Sequence, residues 1–283
     1  MTDVFIFDID GTLTKPRQPM SSAFAKTFIG LCLRSPVYLA SGSDYAKIVE
    51  QVPPEVIDCV NGIFPCAGAE FWRGSYCVYA DDQPFPPGLI SLFQSLMAAS
   101  PYPHRFGPHV EKRTGMLNVS VVGRSANRQQ REDYRLWDDR HRERAAIAKA
   151  LSREYPAYEY AIGGDISIDI FPKGANKSRI LQTLDRLHPK AAYRFFGDRT
   201  AAGGNDWALA QALVKRGPSH RVLSVADCDE TRRIVDVMIA QDRHGAPALA
   251  NLPAPNAMPL SRRSILMPRD PMHLASRRTG GWC

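Results

Sequence analysis

The stretch that decides the fold is Val4-Phe5-Ile6-Phe7-Asp8-Ile9-Asp10-Gly11-Thr12-Leu13-Thr14, close to the start of the chain. Its first four residues form an uninterrupted apolar run, and acidic residues follow at once. Such a run is typical of a strand that is buried on both faces of a parallel sheet. We therefore predict a central strand here, with Asp8 and Asp10 at its carboxyl end.

Strands and helices alternate on either side of a long interruption. This alternation is typical of a doubly wound α/β fold. Ser21 or Ser22 is a suitable N-cap for the first helix. The predicted elements are helix 21–34, strand 36–40, helix 43–51, helix 177–187, strand 193–196, a helix within 203–214, strand 220–225 and helix 228–241.

The interruption mixes strands and helices without simple alternation, which predicts an inserted α+β domain. Its predicted elements are helix 89–99, strand 117–122, a charged helical stretch over 127–154 and strand 166–171. The domains that follow are a first core half over 1–81, an insert over 82–175, a second core half over 176–242 and a Pro/Arg-rich tail over 243–283. We expect this tail to be mostly disordered, because prolines interrupt every possible helix in it.

Composition excludes several classes of protein. Of the 283 residues, 44% are hydrophobic, yet none of the apolar stretches approaches the roughly 18 residues that a membrane span requires. We expect no signal peptide, and the six cysteines lack zinc-site spacing, so we expect reduced thiols and a cytoplasmic location. Most of the net charge of +7 comes from arginines after residue 242, so we expect no nucleic acid to bind the folded body.

Asp8 and Asp10 form the strongest chemical signal. Two neighbouring carboxylates repel each other unless a cation lies between them, and carboxylate oxygens suit Mg²⁺. One carboxylate can then attack phosphorus while the other transfers a proton. The alternative is that D-x-D-G only makes a turn.

Three further segments follow predicted strands or re-enter the core. Ser43 is a candidate phosphate ligand at a helix start, with Ser41 as the alternative and an ordinary N-cap as the structural explanation. Lys177 can neutralise a phosphoryl group and an aspartate together, although a lone lysine is usually a surface charge. Asp198 is a candidate metal ligand, whereas an N-cap role accounts for Asp206.

These segments in this order resemble the haloacid dehalogenase (HAD) superfamily, and further motifs resemble the eukaryotic-type phosphomannomutases. The similarity extends in collinear order over about residues 3–240. The resemblance implies a HAD-like Rossmannoid core with an inserted cap domain of type C2. The segments that support it are DIDGTLTKPR at 8–17, SGSDY at 41–45, GMLNVSVVGR at 115–124, SIDIFP at 167–172 and FFGDRTAAGGND at 195–206.

The resemblance also implies a role for each matched residue. Asp8 is implied as the nucleophile and Asp10 as the general acid/base, with Lys177 and Ser43 on the transferring phosphoryl group. The implied Mg²⁺ ligands are Asp8, Asp198 and the backbone carbonyl of Asp10. The implied substrate contacts are Arg17, Arg113, Arg124, Arg131, Ser167 and Asp169.

Spacing in the insert agrees with these assignments. Ser167 and Asp169 alternate with isoleucines, and Asn118 alternates with apolar residues, which predicts a sheet with one polar face. Arg124 and Arg131 are seven residues apart, two turns along one face if their helix begins early enough. Most other arginines between residues 124 and 144 are expected to form a solvated helix face.

The expected function is that of a phosphomannomutase. It would interconvert mannose 6-phosphate and mannose 1-phosphate with glucose 1,6-bisphosphate or mannose 1,6-bisphosphate as activator, feed GDP-mannose synthesis and pair through its cap. One alternative is a sugar-phosphate phosphatase on the same scaffold. A second alternative is a protein whose basic tail binds nucleic acid or acidic lipid; deletion of 243–283 would distinguish it.

Overall fold

A computed structural model of the chain describes residues 2–243, and the predicted tail from residue 244 onwards lies outside the described residues. Within the described range the chain forms a seven-stranded sheet and a four-stranded sheet. The strands are β1 (Asp3–Phe7), β2 (Val37–Ala40), β3 (Gly62–Phe64), β4 (Glu70–Arg73), β5 (Tyr76–Ala80), β6 (Val110–Arg113), β7 (Met116–Val119), β8 (Tyr158–Gly163), β9 (Ser167–Pro172), β10 (Ala192–Gly197) and β11 (Arg221–Ser224). The α-helices are α1 (Ser22–Cys32), α2 (Tyr45–Gln51), α3 (Pro54–Cys59), α4 (Pro87–Ala98), α5 (Arg128–His141), α6 (Glu143–Glu154), α7 (Ile180–Leu187), α8 (Trp207–Lys215) and α9 (Cys228–Arg243).

The seven-stranded sheet has the order β11-β10-β1-β2-β3-β4-β5. Its first five strands run parallel, and β4 and β5 extend the edge as antiparallel strands. Strand β1 therefore lies between β10 and β2, which confirms its predicted central position. The carboxyl ends of β1, β2 and β10 meet at one edge of the sheet, where ligands bind in open α/β folds.

Strand β1 is buried because both faces of the sheet are covered. Phe5 and Phe7 pack into a core with α1, α3 and α9, whereas Val4 and Ile6 pack into a second core with α7 and α8. This division follows from the two-residue repeat of a strand, which sends alternate side chains to opposite faces. The predicted doubly wound layering is confirmed.

The four-stranded sheet is antiparallel with the order β6-β7-β9-β8. Helices α4, α5 and α6 cover one of its faces, where Leu117 and Ile168 are buried in an apolar cluster. The opposite face carries Asn118 and Asp169, which pair across the two central strands. The predicted polar face of the insert is therefore confirmed.

The structure departs from the sequence prediction in several elements. The charged stretch 127–154 is helical as predicted, and it is divided into α5 and α6 where Arg142 adopts a left-handed backbone (φ 56°). The hairpin of β4 and β5 and the outer strands β6 and β8 were not predicted. The domain boundaries at 81/82 and 175/176 stay predictions.

Two further observations concern the whole described range. The cysteines at 32, 59, 66, 77 and 228 are free thiols. No helix between residues 2 and 243 has the length and apolar character needed to span a bilayer.

Candidate active site

The carboxyl end of β1 holds a buried lysine between two buried carboxylates. Lys177 Nζ donates to Asp8 Oδ1 at 2.7 Å and to Asp206 Oδ1 at 2.5 Å. All three side chains are at most 4% exposed. Burial and then the neighbouring carboxylates Asp206 and Asp198 raise the pKa of Asp8 well above its ordinary value, although Lys177 opposes this rise. A single lysine therefore does not balance the negative charge at this edge.

Asp198, at the end of β10, completes a group of three carboxylates. One oxygen each from Asp8, Asp198 and Asp206 lies within 4.8 Å of the others. Desolvation, followed by the charge of Asp206, raises the pKa of Asp198 to about 7. Gly11 makes this approach possible, since a Cβ there would lie 2.5 Å from Asp198 Oδ2. Three crowded oxygen donors with an uncompensated charge fit a hard divalent cation such as Mg²⁺.

Mg²⁺ is therefore expected to stabilise the fold more strongly at pH 8 than at pH 5. Because Asp198 has a higher pKa in the folded protein than its ordinary 3.8, raising the pH from about 4 to about 7 lowers the free energy of unfolding of the metal-free protein. The loss amounts to at most about 4 kcal/mol. Bound Mg²⁺ removes this penalty by pairing with the ionised carboxylates. The measurement is the melting temperature with EDTA and with Mg²⁺ at both pH values.

Asp198→Asn is the matched control for this experiment, because it removes the titrating carboxylate and keeps the size of the side chain. We expect it to weaken both the pH dependence and the response to Mg²⁺. An equal Mg²⁺ effect at pH 5 and pH 8 in the unmodified protein would contradict the assignment of a cation to this group.

Asp10 lies on the solvent side of Asp8 and is held by its own loop. Its Oδ1 accepts from the Arg17 backbone N at 2.9 Å, and its Oδ2 lies 3.4 Å from the donor Ser43 Oγ. Asp10 is partly exposed, whereas Asp8 is buried. The two carboxylates thus have different environments: Asp8 is desolvated against Lys177, whereas Asp10 is open to the cleft.

The loop after β2 places Ser41 and Ser43 beside the two aspartates. The predicted helix over 43–51 begins later, at Tyr45, because Asp44 is its N-cap and accepts from Lys47 N at 2.9 Å. Ser43 is therefore not the N-cap. Its backbone N instead donates to Ser41 Oγ at 3.0 Å, which fixes the loop, and both serines face the cleft.

The insert contributes two arginines to the other side of the cleft: Arg113, buried at the end of β6, and Arg124, half-buried in the segment after β7. Arg113 Nη1 donates to the Gly42 carbonyl oxygen at 2.5 Å, so this cap residue contacts the serine loop of the core. Arg124 Nη1 donates to Ser167 Oγ at 2.7 Å. Side chains from β6, β9 and the segment after β7 therefore meet above the carboxyl end of β1.

Arg17 and Arg131 join Arg124 to form a cluster of positive charge. The pKa of Arg124 is lowered to about 10 by burial and then by the charges of Arg113 and Arg17. The pKa of Arg131 is also lowered to about 10, by burial and then by the charges of Arg17 and Arg124. Mutual repulsion of this kind is relieved by a bound anion. Arginine binds phosphate in a bidentate manner, so the cluster suits a phosphate group.

The expected helical relation between Arg124 and Arg131 is wrong. Helix α5 begins only at Arg128, and Arg124 lies in the segment before it. The two residues meet all the same, because Arg131 Nη2 donates to the Arg124 carbonyl oxygen at 3.3 Å and its Nε donates to the Ala126 carbonyl oxygen at 2.9 Å. A folded-back loop, rather than a helix face, brings them together.

Sequence reasoning missed Glu111, which connects the arginines to the core. Its Oε1 accepts from Arg113 Nε at 2.7 Å and its Oε2 from Arg124 Nε at 3.1 Å. Lys47, on core helix α2, also pairs with Oε1. The signal was available: Glu111 and Arg113 are two residues apart on β6, a spacing that places them on one face.

Glu111→Gln is expected to destabilise the ligand-free protein by about 2 kcal/mol, because it removes a negative charge that Arg113 and Arg124 share. A phosphate ligand supplies that charge, so the variant should gain more melting temperature from mannose 1-phosphate than the unmodified protein gains. Glu132→Gln is the control, since Glu132 pairs with Arg135 on the exposed face of α5. Equal stability of Glu111→Gln and the unmodified protein would show that Glu111 does not balance the arginines.

Asp206 occupies the N-cap position of α8, but it does not cap the helix with its side chain as expected. Its side chain makes no capping hydrogen bond to α8. It accepts instead from Lys177 and from the Arg199 backbone N at 3.2 Å, and it is fully buried. The Gly-Gly-Asn-Asp sequence resembles a capped helix start, and only the three-dimensional position of Lys177 distinguishes the two roles.

One cleft brings together nearly all the residues singled out from the sequence. Lys177 does not line it and is buried beneath Asp8. The predicted residues that line the cleft are Asp8, Asp10, Arg17, Ser43, Arg113, Arg124, Arg131, Ser167, Asp169 and Asp198. A carboxylate end and an arginine end therefore face each other across a single space.

Comparison of the sequence with known protein families identifies the family of this chain. The sequence model of the family described as eukaryotic phosphomannomutase matches residues 24–240. The chain belongs to the eukaryotic phosphomannomutase family. The match spans Ser43, the cap residues, Lys177 and Asp198, and it begins after Asp8 and Asp10.

Relatives within the phosphomannomutase family are similar over most of their length. The phosphomannomutase of Saccharomyces cerevisiae is 34% identical over 231 residues, which cover 78% of this chain and 89% of the yeast protein. Phosphomannomutase 2 of Dictyostelium discoideum is 32% identical over 238 residues, covering 79% of this chain and 95% of that protein.

Solved structures agree on the fold of this phosphomannomutase family member. The C-terminal domain of C. albicans trehalose-6-phosphate phosphatase superposes with a TM-score of 0.58 at 16% identity, covering 84% of this chain and 92% of that domain. A HAD subclass IIB sugar phosphatase superposes with a TM-score of 0.51 at 15% identity, covering 87% of this chain and 99% of that chain. The HAD-like core with an inserted α+β cap is confirmed.

Proposed function

We propose that this member of the phosphomannomutase family interconverts mannose 6-phosphate and mannose 1-phosphate through a phosphorylated Asp8. The observation that carries the proposal is that one cleft has carboxylates at one end and a cluster of arginines at the other. The Asp8–Lys177 end suits a phosphoryl group in transfer, and the cluster of Arg113, Arg124 and Arg131 suits a phosphate that does not react. A mutase needs both ends, because its intermediate carries two phosphates.

The first half-reaction begins with phosphorylated Asp8. The phosphate of mannose 1-phosphate binds the cap arginines, and its free 6-hydroxyl points towards Asp8. The hydroxyl oxygen attacks the phosphorus, the bond between phosphorus and the Asp8 oxygen breaks, and Asp10 accepts the hydroxyl proton. The products are mannose 1,6-bisphosphate and a free Asp8 carboxylate.

The second half-reaction reverses these bonds at the other end of the sugar. The bisphosphate turns round, so that its 1-phosphate faces Asp8 and its 6-phosphate binds the arginines. Asp8 attacks the phosphorus, Asp10 returns the proton to the leaving oxygen, and mannose 6-phosphate departs. Lys177 balances charge on Asp8 and on the phosphoryl oxygens, and Ser43 donates to those oxygens.

Mg²⁺ is the metal that the family implies, and the oxygen donors described above fit it. We propose that Asp8, Asp198 and the backbone carbonyl of Asp10 hold it, with Asp206 adding negative charge close by. When bound, Mg²⁺ neutralises charge on the phosphoryl oxygens and orients them. Lys177 remains paired with Asp206.

A sugar-phosphate phosphatase is the rival on this scaffold, since water can attack the phosphorus of phosphorylated Asp8. The contacts of Arg113 with Gly42 and of Glu111 with Lys47 join the cap to the core and favour exclusion of water. The test mixes mannose 1-phosphate, glucose 1,6-bisphosphate and Mg²⁺, and measures mannose 6-phosphate against free phosphate. We expect mannose 6-phosphate as the product. Stoichiometric release of free phosphate without formation of mannose 6-phosphate would contradict the mutase proposal and support the phosphatase. Glucose 1-phosphate in a parallel reaction measures sugar preference.

Three further proposals accompany this function. Glucose 1,6-bisphosphate or mannose 1,6-bisphosphate primes the enzyme by phosphorylating Asp8, and the product supplies GDP-mannose synthesis. The chain forms a homodimer through its cap, which light scattering of the full-length protein tests. The free thiols among the described residues suit a reducing cytoplasm.

A further inference from the structure

Asn118 is a buried polar residue on the polar face of the four-stranded sheet. It lies on β7, directly opposite Asp169 on β9, and only 3% of its surface is exposed. It lines the same cleft as Asp8 and the cap arginines. The resemblance to the family assigned no role to it.

The neighbouring carboxylate fixes the orientation of the Asn118 amide. Asn118 Nδ2 donates to Asp169 Oδ1 at 2.6 Å. An ionised carboxylate only accepts hydrogen bonds, so the amide must turn its NH₂ group towards Asp169. The amide oxygen Oδ1 therefore faces away from Asp169. The hydrogen bond to Asp169 determines which end of the amide is the nitrogen and which is the oxygen.

That oxygen lacks a hydrogen-bond partner among the residues the structure describes. A buried acceptor without a partner destabilises a fold, and such groups are rare in native proteins. Asp169 itself is closely enclosed, because a Cβ at Gly163 would lie 2.5 Å from its Oδ2 and a Cβ at Gly42 3.0 Å from it. Asn118 lines the cleft, so a ligand bound in the cleft lies beside this side chain.

We propose that Asn118 Oδ1 accepts a hydrogen bond from a ring hydroxyl of the bound hexose phosphate and thereby helps to select the sugar. The inference rests on the proposed function, because it takes the ligand to be a sugar phosphate. With phosphates at the two ends of the cleft, as proposed above, the sugar ring and its hydroxyl donors lie along the lining to which Asn118 belongs. A site built to accept from a hydroxyl rejects analogues that lack it.

The experiment compares mannose 1-phosphate with its 2-, 3- and 4-deoxy analogues, using calorimetric affinity and turnover. We expect the unmodified protein to bind one analogue about 10- to 100-fold more weakly than the parent sugar. Asn118→Ala should bind mannose 1-phosphate more weakly by a similar factor. It should bind mannose 1-phosphate and the discriminated deoxy analogue with equal affinity. Asn118→Ser provides the same test if the alanine variant does not fold.

Ser120→Ala is the matched control. Ser120 is buried directly after β7, but its Oγ accepts from Gly123 N at 3.2 Å and it does not line the cleft. This variant should retain the full preference among the analogues.

Each outcome decides the inference. Equal binding of all analogues by the unmodified protein, or an unchanged preference in Asn118→Ala, would overturn it. A third outcome is that the unmodified protein binds selectively but does not isomerise the sugar phosphate, and that Asn118→Ala loses the selectivity. This result would contradict the proposed mutase function and would support the hydroxyl contact. Absence of any hexose phosphate binding would overturn both.

Discussion

Asp8→Asn is expected to abolish both isomerisation and hydrolysis, with a loss of at least about 10⁴-fold in kcat. The amide of asparagine is not a nucleophile towards phosphorus. Asp206, the other carboxylate against Lys177, is fully buried and does not line the cleft. Product formation from mannose 1-phosphate and glucose 1,6-bisphosphate measures the effect. The same assay detects free phosphate, so both reactions are followed together.

The Asp8→Asn variant should stay folded. Burial raises the pKa of Asp8, which means that its ionised form is unfavourable in the metal-free protein, so a neutral side chain of equal size does not destabilise it. Circular dichroism and the melting temperature in EDTA check this. Asp139→Asn is the control, because Asp139 is an exposed partner of Arg135. Substantial turnover by folded Asp8→Asn would remove Asp8 as the nucleophile.

Lys177→Met is expected to have the second largest effect, lowering kcat by about 10³-fold. The variant also leaves Asp8 and Asp206 buried without their shared cation, which costs about 3 kcal/mol of unfolding free energy at neutral pH. Burial already raises the pKa of Asp8, and removal of Lys177 raises it further, so protonation of Asp8 should make the loss smaller at pH 5 than at pH 8. Thermal denaturation at the two pH values measures this difference.

Lys215→Met, at the exposed end of α8, is the matched control and should behave like the unmodified protein. Mg²⁺ should restore part of the stability of Lys177→Met, because it can replace the missing positive charge. Turnover of Lys177→Met within tenfold of the unmodified protein would contradict a role for Lys177 in phosphoryl transfer.

Strand β1 was predictable because its signal is local. A short apolar run followed by acids is unusual outside a buried parallel strand, and the position of Asp8 follows from it. The polar face of the cap sheet was predictable for the same reason, since Asn118 and Asp169 alternate with apolar neighbours. The edge hairpin of β4 and β5 was not predictable, because β5 is only partly buried and lacks clear alternation.

The site was less predictable where its contacts are distant in sequence. Lys177 and Asp8 are 169 positions apart, so spacing alone does not pair them, and the resemblance to a family supplied that assignment. Asp206 was given a capping role because local sequence favours one. Glu111 was overlooked because its partners, Arg124 and Lys47, come from elements that only the folded chain brings together.

The most direct test of the account is a search for the phosphorylated enzyme. The full-length protein is incubated with glucose 1,6-bisphosphate and Mg²⁺, quenched in acid and examined by intact mass and peptide mapping. We predict one added phosphoryl group on the peptide that contains Asp8, and none in Asp8→Asn. Continued turnover without an acyl phosphate, or a phosphoryl group on a different residue, would contradict the central claim.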